Sequence, residues 1–283
     1  MFDDEQRPRL RMLRPLRRRG DRRPRRFTRG VYLLPSMFTM GNLFCGYACV
    51  VYSMRGDFAM AAPLIGVAIV LDMLDGRVAR MTGATSDFGL EFDSLADVIS
   101  FGIAPAVLAF AWGLQPLGRM GWAASFLFVA AAAVRLARFN IQTGTVDKRY
   151  FVGLPSPAAA AVPAATVFAY PYGFKSPIHS VAVLAMVIVP ALLMVSTIRF
   201  RSFKTFDLGV RRSYAVLILF AVAFALLAAQ PDIFLVLLAY SYLVSGLIAW
   251  AWSRVRRRPG VAEPTDTQAT DVAPPETKLT KGL

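Results

Sequence analysis

Apolar runs of roughly 17–22 residues recur along this 283-residue chain, the length a helix needs to cross about 30 Å of hydrocarbon. No other feature limits the fold as much. Inside a bilayer every backbone polar group must be bonded internally, so successive runs of this kind fold as spanning helices. Composition agrees: 56% of residues are hydrophobic and 18% charged, against about 45–50% and about 25% in soluble domains. The expected fold is therefore an all-α polytopic membrane helix bundle of about eight transmembrane helices. These run over roughly 33–54, 58–75, 95–114, 120–137, 157–172, 179–198, 214–229 and 233–252. The second continues as a helix past its apolar boundary through Arg80, and the fifth is short and rich in Ala and Pro.

Charge divides the chain and orients it. Residues 1–30 carry twelve arginines against Asp3, Asp4, Glu5 and Asp21, which reads as a disordered cytoplasmic arm lying on anionic lipid headgroups. Only Phe27 interrupts its arginines as an aromatic, and no nucleic-acid-binding pattern accompanies them, so no nucleic acid partner is expected. The arm also lacks the short apolar core of a signal peptide. Residues 31–253 form the transmembrane domain, and 254–283 read as a disordered cytoplasmic tail. With the arm inside, the inner loops hold Arg77, Arg80, Arg135, Arg138, Lys148, Arg149, Arg199, Arg201, Lys204, Arg211 and Arg212. The outer loops hold Arg55, Arg119 and Lys175. That asymmetry puts both termini in the cytoplasm. Cys45 and Cys49 share a helix face and read as buried inert thiols; His179, with no Cys or acid near it in sequence, reads as structural.

Against this apolar background stands "LDMLDGRVARMTGATSDFGLEFDSLAD", residues 71–97, with Asp72, Asp75, Asp93 and Asp97 where charge is costly. Asp72 and Asp75 are spaced i, i+3, and Asp93 and Asp97 i, i+4, so each pair shares a helical face. Two glycines in the intervening "TGATSDFG" allow a hairpin that gathers four carboxylates just inside the cytoplasmic surface. Unpaired, they would repel one another, and divalent cations would neutralise them. All-oxygen ligands favour Mg²⁺, Mn²⁺ or Ca²⁺. The small residues Gly76 and Ala79 leave room for a ligand, and Arg80 could place a guanidinium on phosphate. Two other readings stand at this point. The acids could pair with Arg77 and Arg80 at the interface, or they could line an ion pathway.

The spacing Asp72-x2-Asp75-Gly76-x2-Ala79-Arg80-x8-Gly89-x3-Asp93-x3-Asp97 resembles the signature of the CDP-alcohol phosphotransferase family at all eight fixed positions. The resemblance implies an integral enzyme that moves a phosphatidyl group from CDP-diacylglycerol to an alcohol and releases CMP. It further implies that Asp72, Asp75 and Asp93 bind two divalent ions, Mg²⁺ or Mn²⁺, with Asp97 at the same site and as general base. Gly76, Ala79 and Arg80 would contact the CDP moiety. Members are often dimers, so a homodimer is a further expectation. An ion transporter becomes a remote alternative.

Segments outside the signature are similar to the serine-specific membrane enzymes of that family in bacteria and archaea. They are "PSMFTMGNLFCG", with Thr39, Asn42 and Gly46, "VRLARFN", with Arg135, Arg138 and Asn140, then "KRYFVGLPSPAAAA" and "STIRFRSFK". The acceptor implied is L-serine, and the product phosphatidylserine. A serine carboxylate would want a cation near the acids, and Arg135, Arg138, Lys148 and Arg149 fall on that side, with Asn140 beside them. Each arginine could equally be a positive-inside anchor. Thr39 and Asn42, on the first helix, could reach the CDP-lipid or bond between helices. The same chemistry with glycerol 3-phosphate or an inositol phosphate is the alternative, and it would ask for a denser cationic pocket. The unrelated covalent-histidine route to phosphatidylserine needs His-x-Lys motifs, and Val181 stands where His179 would require lysine.

Overall fold

The second apolar run passes into its acids without a break, and the chain keeps both on one helix. The computed structural model describes residues 33–83, 86–142, 150–173, 177–196, 199–201 and 213–256. Helix α1 (Leu33–Met54) packs along α2 (Phe58–Thr82), the most extensive helix pairing of the described bundle. Asp57 caps α2, accepting a hydrogen bond from the Met60 N–H at 3.3 Å. Gly83 ends it in the left-handed conformation, φ 64°, where a side chain would be strained.

The third span departs from expectation at its start. It begins at Asp87, not near residue 95, because Ser86 caps it by accepting from the Gly89 N–H at 3.0 Å. Phe88 and Gly89, read as turn, are therefore helical. Helix α3 (Asp87–Asp97) leads into a π-helical turn, Val98–Ile103, then α4 (Ala104–Ala109), a second π-helical turn, Phe110–Leu114, and a 3₁₀ turn, Gln115–Leu117. Helix α5 (Arg119–Gln142) returns to the end that holds the acids.

Strand β1 (Tyr150–Val152) then pairs antiparallel with β2 (Arg199–Arg201), a two-strand ladder joining the loops before α6 and after α7. Helix α6 (Ser156–Ala169) follows, then α7 (Pro177–Val195), α8 (Ser213–Ala229) and α9 (Pro231–Arg256). The last helix runs three residues into the segment expected as tail. A helix falls on each of the eight expected stretches. Among the described residues, six helical runs are long and apolar enough to cross a membrane, while α6 and α8, at 14 and 17 residues, are shorter. Small residues dominate the centre: Ala61, Ala62, Ala104, Ala109, Ala132, Ala159 and Ala160 are buried and let helices approach closely. Large apolar side chains such as Phe44, Leu217, Phe224 and Ile248 cover the outside, as a lipid-facing surface requires. Apart from the short ladder, the described chain is an all-α polytopic membrane bundle.

Both tail segments expected to be disordered, 1–30 and 257–283, lie outside the described residues, as do Lys148 and Arg149.

Candidate active site

Helices α2 and α3 both lie against α1, and the acids of the two helices meet there. Carboxylate oxygens of Asp72, Asp93 and Asp97 lie within 4.8 Å of one another. Asp75, one turn from Asp72, is buried and receives a short hydrogen bond from the Thr39 hydroxyl of α1. It also comes within hydrogen-bonding range of Asp93. Cys45 and Cys49 are buried free thiols, as expected.

This donor set fits a divalent ion. Asp93 Oδ1 is buried with no hydrogen-bond partner, an acceptor whose desolvation is uncompensated unless a cation meets it. Three carboxylates converge on the same space, and oxygen ligands of that kind suit a hard cation. The cluster can therefore hold a metal ion.

Thr39 and Asn42, read as reaching the CDP-lipid or bonding between helices, do bond between helices, and to the acids themselves: Thr39 to Asp75, and the Asn42 Nδ2 to Asp97 Oδ1 at 3.4 Å. Since Asp97 is an acceptor there, the amide presents its N–H₂ to it, and Asn42 Oδ1 is left buried without a partner. The Asn42 backbone carbonyl accepts from Ser100 Oγ at 2.9 Å. Ser100 lies in the π-helical turn directly after Asp97, and Gly46 makes room for it: a Cβ on Gly46 would stand 2.5 Å from Ser100 Oγ. Helix α1 thus grips the third span on both sides of Asp97.

Arg80 is exposed at the end of α2, and one of its guanidinium nitrogens stands 3.9 Å from where a Gly76 Cβ would be. Gly76 and Ala79 are half-buried beside it.

The basic residues of α5 separate by position. Arg135 lies within electrostatic range of Asp97 and Asp72, donates to Ser156 Oγ at 2.9 Å, and stacks over the Phe139 ring at 5.7 Å. Arg138 instead donates to the carbonyls of Val195 and Ser196, both at 3.3 Å, closing the end of α7. Asn140 donates to Ser94 Oγ at 3.0 Å, tying α5 to α3. Of the expected acceptor residues among those described, Arg135 is the one within electrostatic range of the acids. Ser156, at the start of α6, belongs to the KRYFVGLPSPAAAA segment that the sequence marked, whereas Tyr242 of α9, in electrostatic range of Arg135, carried no signal in its apolar surroundings. A cavity of about 220 Å³, lined by residues including Phe58, Trp112, Gln115 and Tyr172, lies at the opposite end of the bundle.

A model of the CDP-alcohol phosphatidyltransferase family matches residues 32–196, from the start of α1 to the end of α7. The CDP-diacylglycerol–serine O-phosphatidyltransferase of Helicobacter pylori is 40% identical over 227 residues, covering 80% of this chain and 94% of that protein. The enzyme of the same name from Bacillus subtilis is 33% identical over 60% of this chain and 91% of its own length. The archaetidylserine synthase of Methanothermobacter thermautotrophicus is 36% identical over 59% of this chain and 69% of its own. The acid-bearing segment lies within the residues that the family model matches, and the chain is an integral membrane protein that belongs to the CDP-alcohol phosphatidyltransferase family.

Proposed function

We propose that this protein transfers the phosphatidyl group of CDP-diacylglycerol to the hydroxyl of L-serine, giving phosphatidylserine and CMP. The observation that carries the reading is the convergence of Asp72, Asp93 and Asp97 beside the Arg135 guanidinium, in a chain similar to serine-acting relatives. Asp72, Asp75, Asp93 and Asp97 would hold a pair of divalent ions. Bound there, Mg²⁺ or Mn²⁺ supplies charge neutralisation for the pyrophosphate and for departing CMP.

The chain's own residues supply position and proton transfer. Gly76 and Ala79 leave room for the CDP moiety, and Arg80 meets its phosphates. Thr39 holds Asp75, and Asn42 holds Asp97, so that the acids keep one arrangement as substrates come and go. The serine hydroxyl oxygen attacks the phosphatidyl phosphorus while the phosphorus–oxygen bond to CMP breaks, and the hydroxyl proton passes to the Asp97 carboxylate. Such a displacement depends mainly on alignment and charge neutralisation. Arg135 receives the serine carboxylate. The positive-inside asymmetry supports a cytoplasmic side for this chemistry and for both termini, where the arginine arm of residues 1–30 would lie against anionic headgroups.

The test is CMP release by purified protein in detergent with CDP-diacylglycerol and Mn²⁺. Serine, glycerol 3-phosphate and inositol phosphate are offered separately. Release with serine alone, lost in EDTA, is expected. Release with one of the phosphorylated alcohols would move the enzyme to a sister activity, and no release with any acceptor would end the reading.

A further inference from the structure

Helix α5 runs antiparallel to the third span, and two contacts fix how they match. Asn140 donates to Ser94 Oγ at 3.0 Å, and a Cβ on Gly102 would stand 3.2 Å from the Ala132 Cβ. Between those contacts Arg135 stands nearly level with Ile99, about half a turn past Asp97. Helix α6 packs on α2 and on the same π-helical turn, and its first residue, Ser156, meets Arg135.

Arg135 Nη1 donates to Ser156 Oγ at 2.9 Å, and Phe139, one turn along α5, lies against the guanidinium at 5.7 Å. A guanidinium has five N–H donors, so after Ser156 has taken one there is capacity for an incoming anion.

Ser156 is the less expected partner. It is 3% exposed, and a hydroxyl so buried ordinarily both accepts and donates. Its oxygen accepts from Arg135, but among the described residues nothing accepts its proton. Other hydroxyls on these helices spend that proton on the carbonyl four residues back, as Ser53, Ser125 and Thr166 do. Ser156 opens its helix and has no such carbonyl within it. A guanidinium and an unspent hydroxyl proton, bonded to each other, can both donate to one anion. The start of α6 favours negative charge as well, since Pro155 in the cap position makes no side-chain hydrogen bond there. One guanidinium matches the single charge of a carboxylate. A phosphate monoester would want a second cation, and the neighbouring Arg138 is bonded to the end of α7.

We infer that Ser156 is a specificity-determining residue, its hydroxyl and the Arg135 guanidinium together receiving the carboxylate of the acceptor. The inference rests on the serine reading above and adds a second donor to it. In serine the carboxylate and the hydroxymethyl group share one carbon. A carboxylate held by Ser156 and Arg135 therefore leaves the hydroxyl on the side of Asp97, about half a turn away along the third span.

The experiment compares the full-length protein with Ser156→Ala in detergent, by CMP release against serine and against CDP-diacylglycerol. Serine amide, which keeps the hydroxyl and ammonium but has no carboxylate, serves as competing ligand. Loss of a hydrogen bond to a charged group predicts a serine KM raised about tenfold. The KM for CDP-diacylglycerol and the inhibition constant of serine amide should stay unchanged. An unaltered serine KM overturns the inference. An equal rise for serine and serine amide also overturns it, because Ser156 would then shape the pocket without reading the carboxylate. If the variant releases no CMP, thermal unfolding with CDP-diacylglycerol, with and without serine, decides instead. Stabilisation by the lipid but no longer by serine supports the inference. Loss of both assigns Ser156 to the fold and overturns it, and so does retention of both. Failure of the serine reading itself shows in the wild-type protein, which would then release no CMP with serine.

Discussion

On the proposed mechanism, Asp97 has two demands on it: to stand among the metal-binding acids and to take a proton from the acceptor. Replacing it by asparagine keeps its size and its place beside Asn42 but removes the base. CMP release by Asp97→Asn should fall by about 10²–10⁴-fold, with CDP-diacylglycerol still bound. Single-turnover CMP release and lipid binding by the same sample separate the two, and near-normal turnover would remove the residue from proton transfer. Thr39 acts one step back. Thr39→Val preserves shape and deletes the hydrogen bond to Asp75. Divalent-ion affinity should drop by about 10–100-fold, read from the Mn²⁺ concentration that half-restores activity. The convergence of the acids was legible, from the shared face of each pair and from the signature they resemble. The partners of Thr39 and Asn42 were not, since helical spacing tells which residues share a face but not which helix that face meets. Arg135 and Arg138 illustrate the same limit. Three residues apart and identical in kind, one turns to the acids and the other closes a helix end.

At the scale of elements, the contact between α1 and the third span is set by a glycine and a π-helical turn. The turn carries Ser100 onto α1, and Gly46 is where the two backbones approach: a Cβ there would lie 2.8 Å from Ser100 Cα. Backbone cannot move aside as a side chain does. Gly46→Ala should therefore destabilise the protein by about 1–3 kcal/mol, measured as a lowered melting temperature in detergent, and it should reduce turnover by displacing Asn42. Ser100→Ala, which removes only the hydroxyl, should be milder on both measures. Helix positions were readable from apolar runs and from Gly83, but the π turns were not. They depend on how one helix seats against another, and a continuous apolar run does not record that. The early start of α3 did have a local signal, in Ser86 three residues before Gly89. An apolar boundary at residue 95 masked it. The β1–β2 ladder had none, because its pairing partners are separated by two helices.

For the molecule as a whole, the acids are a liability until they are neutralised. Chelation with EDTA should abolish CMP release and lower the melting temperature, and Mn²⁺ should restore both, as for any ligand that binds only the folded state. Without metal, Asp72→Asn should melt above the wild-type protein, because one of the mutually repelling charges is gone, although the variant is inactive. If it melts lower, repulsion is not what the metal relieves. The order of helices along the chain has a consequence of its own. Asp72 to Asp97 leave the ribosome as one hairpin, while α9 is the last described helix to emerge. For the interval between those events, a growing chain in the bilayer carries its four acids without the helix that packs on α6. On the proposed chemistry, a nucleotide lipid captured by such a chain would meet water before the bundle had closed.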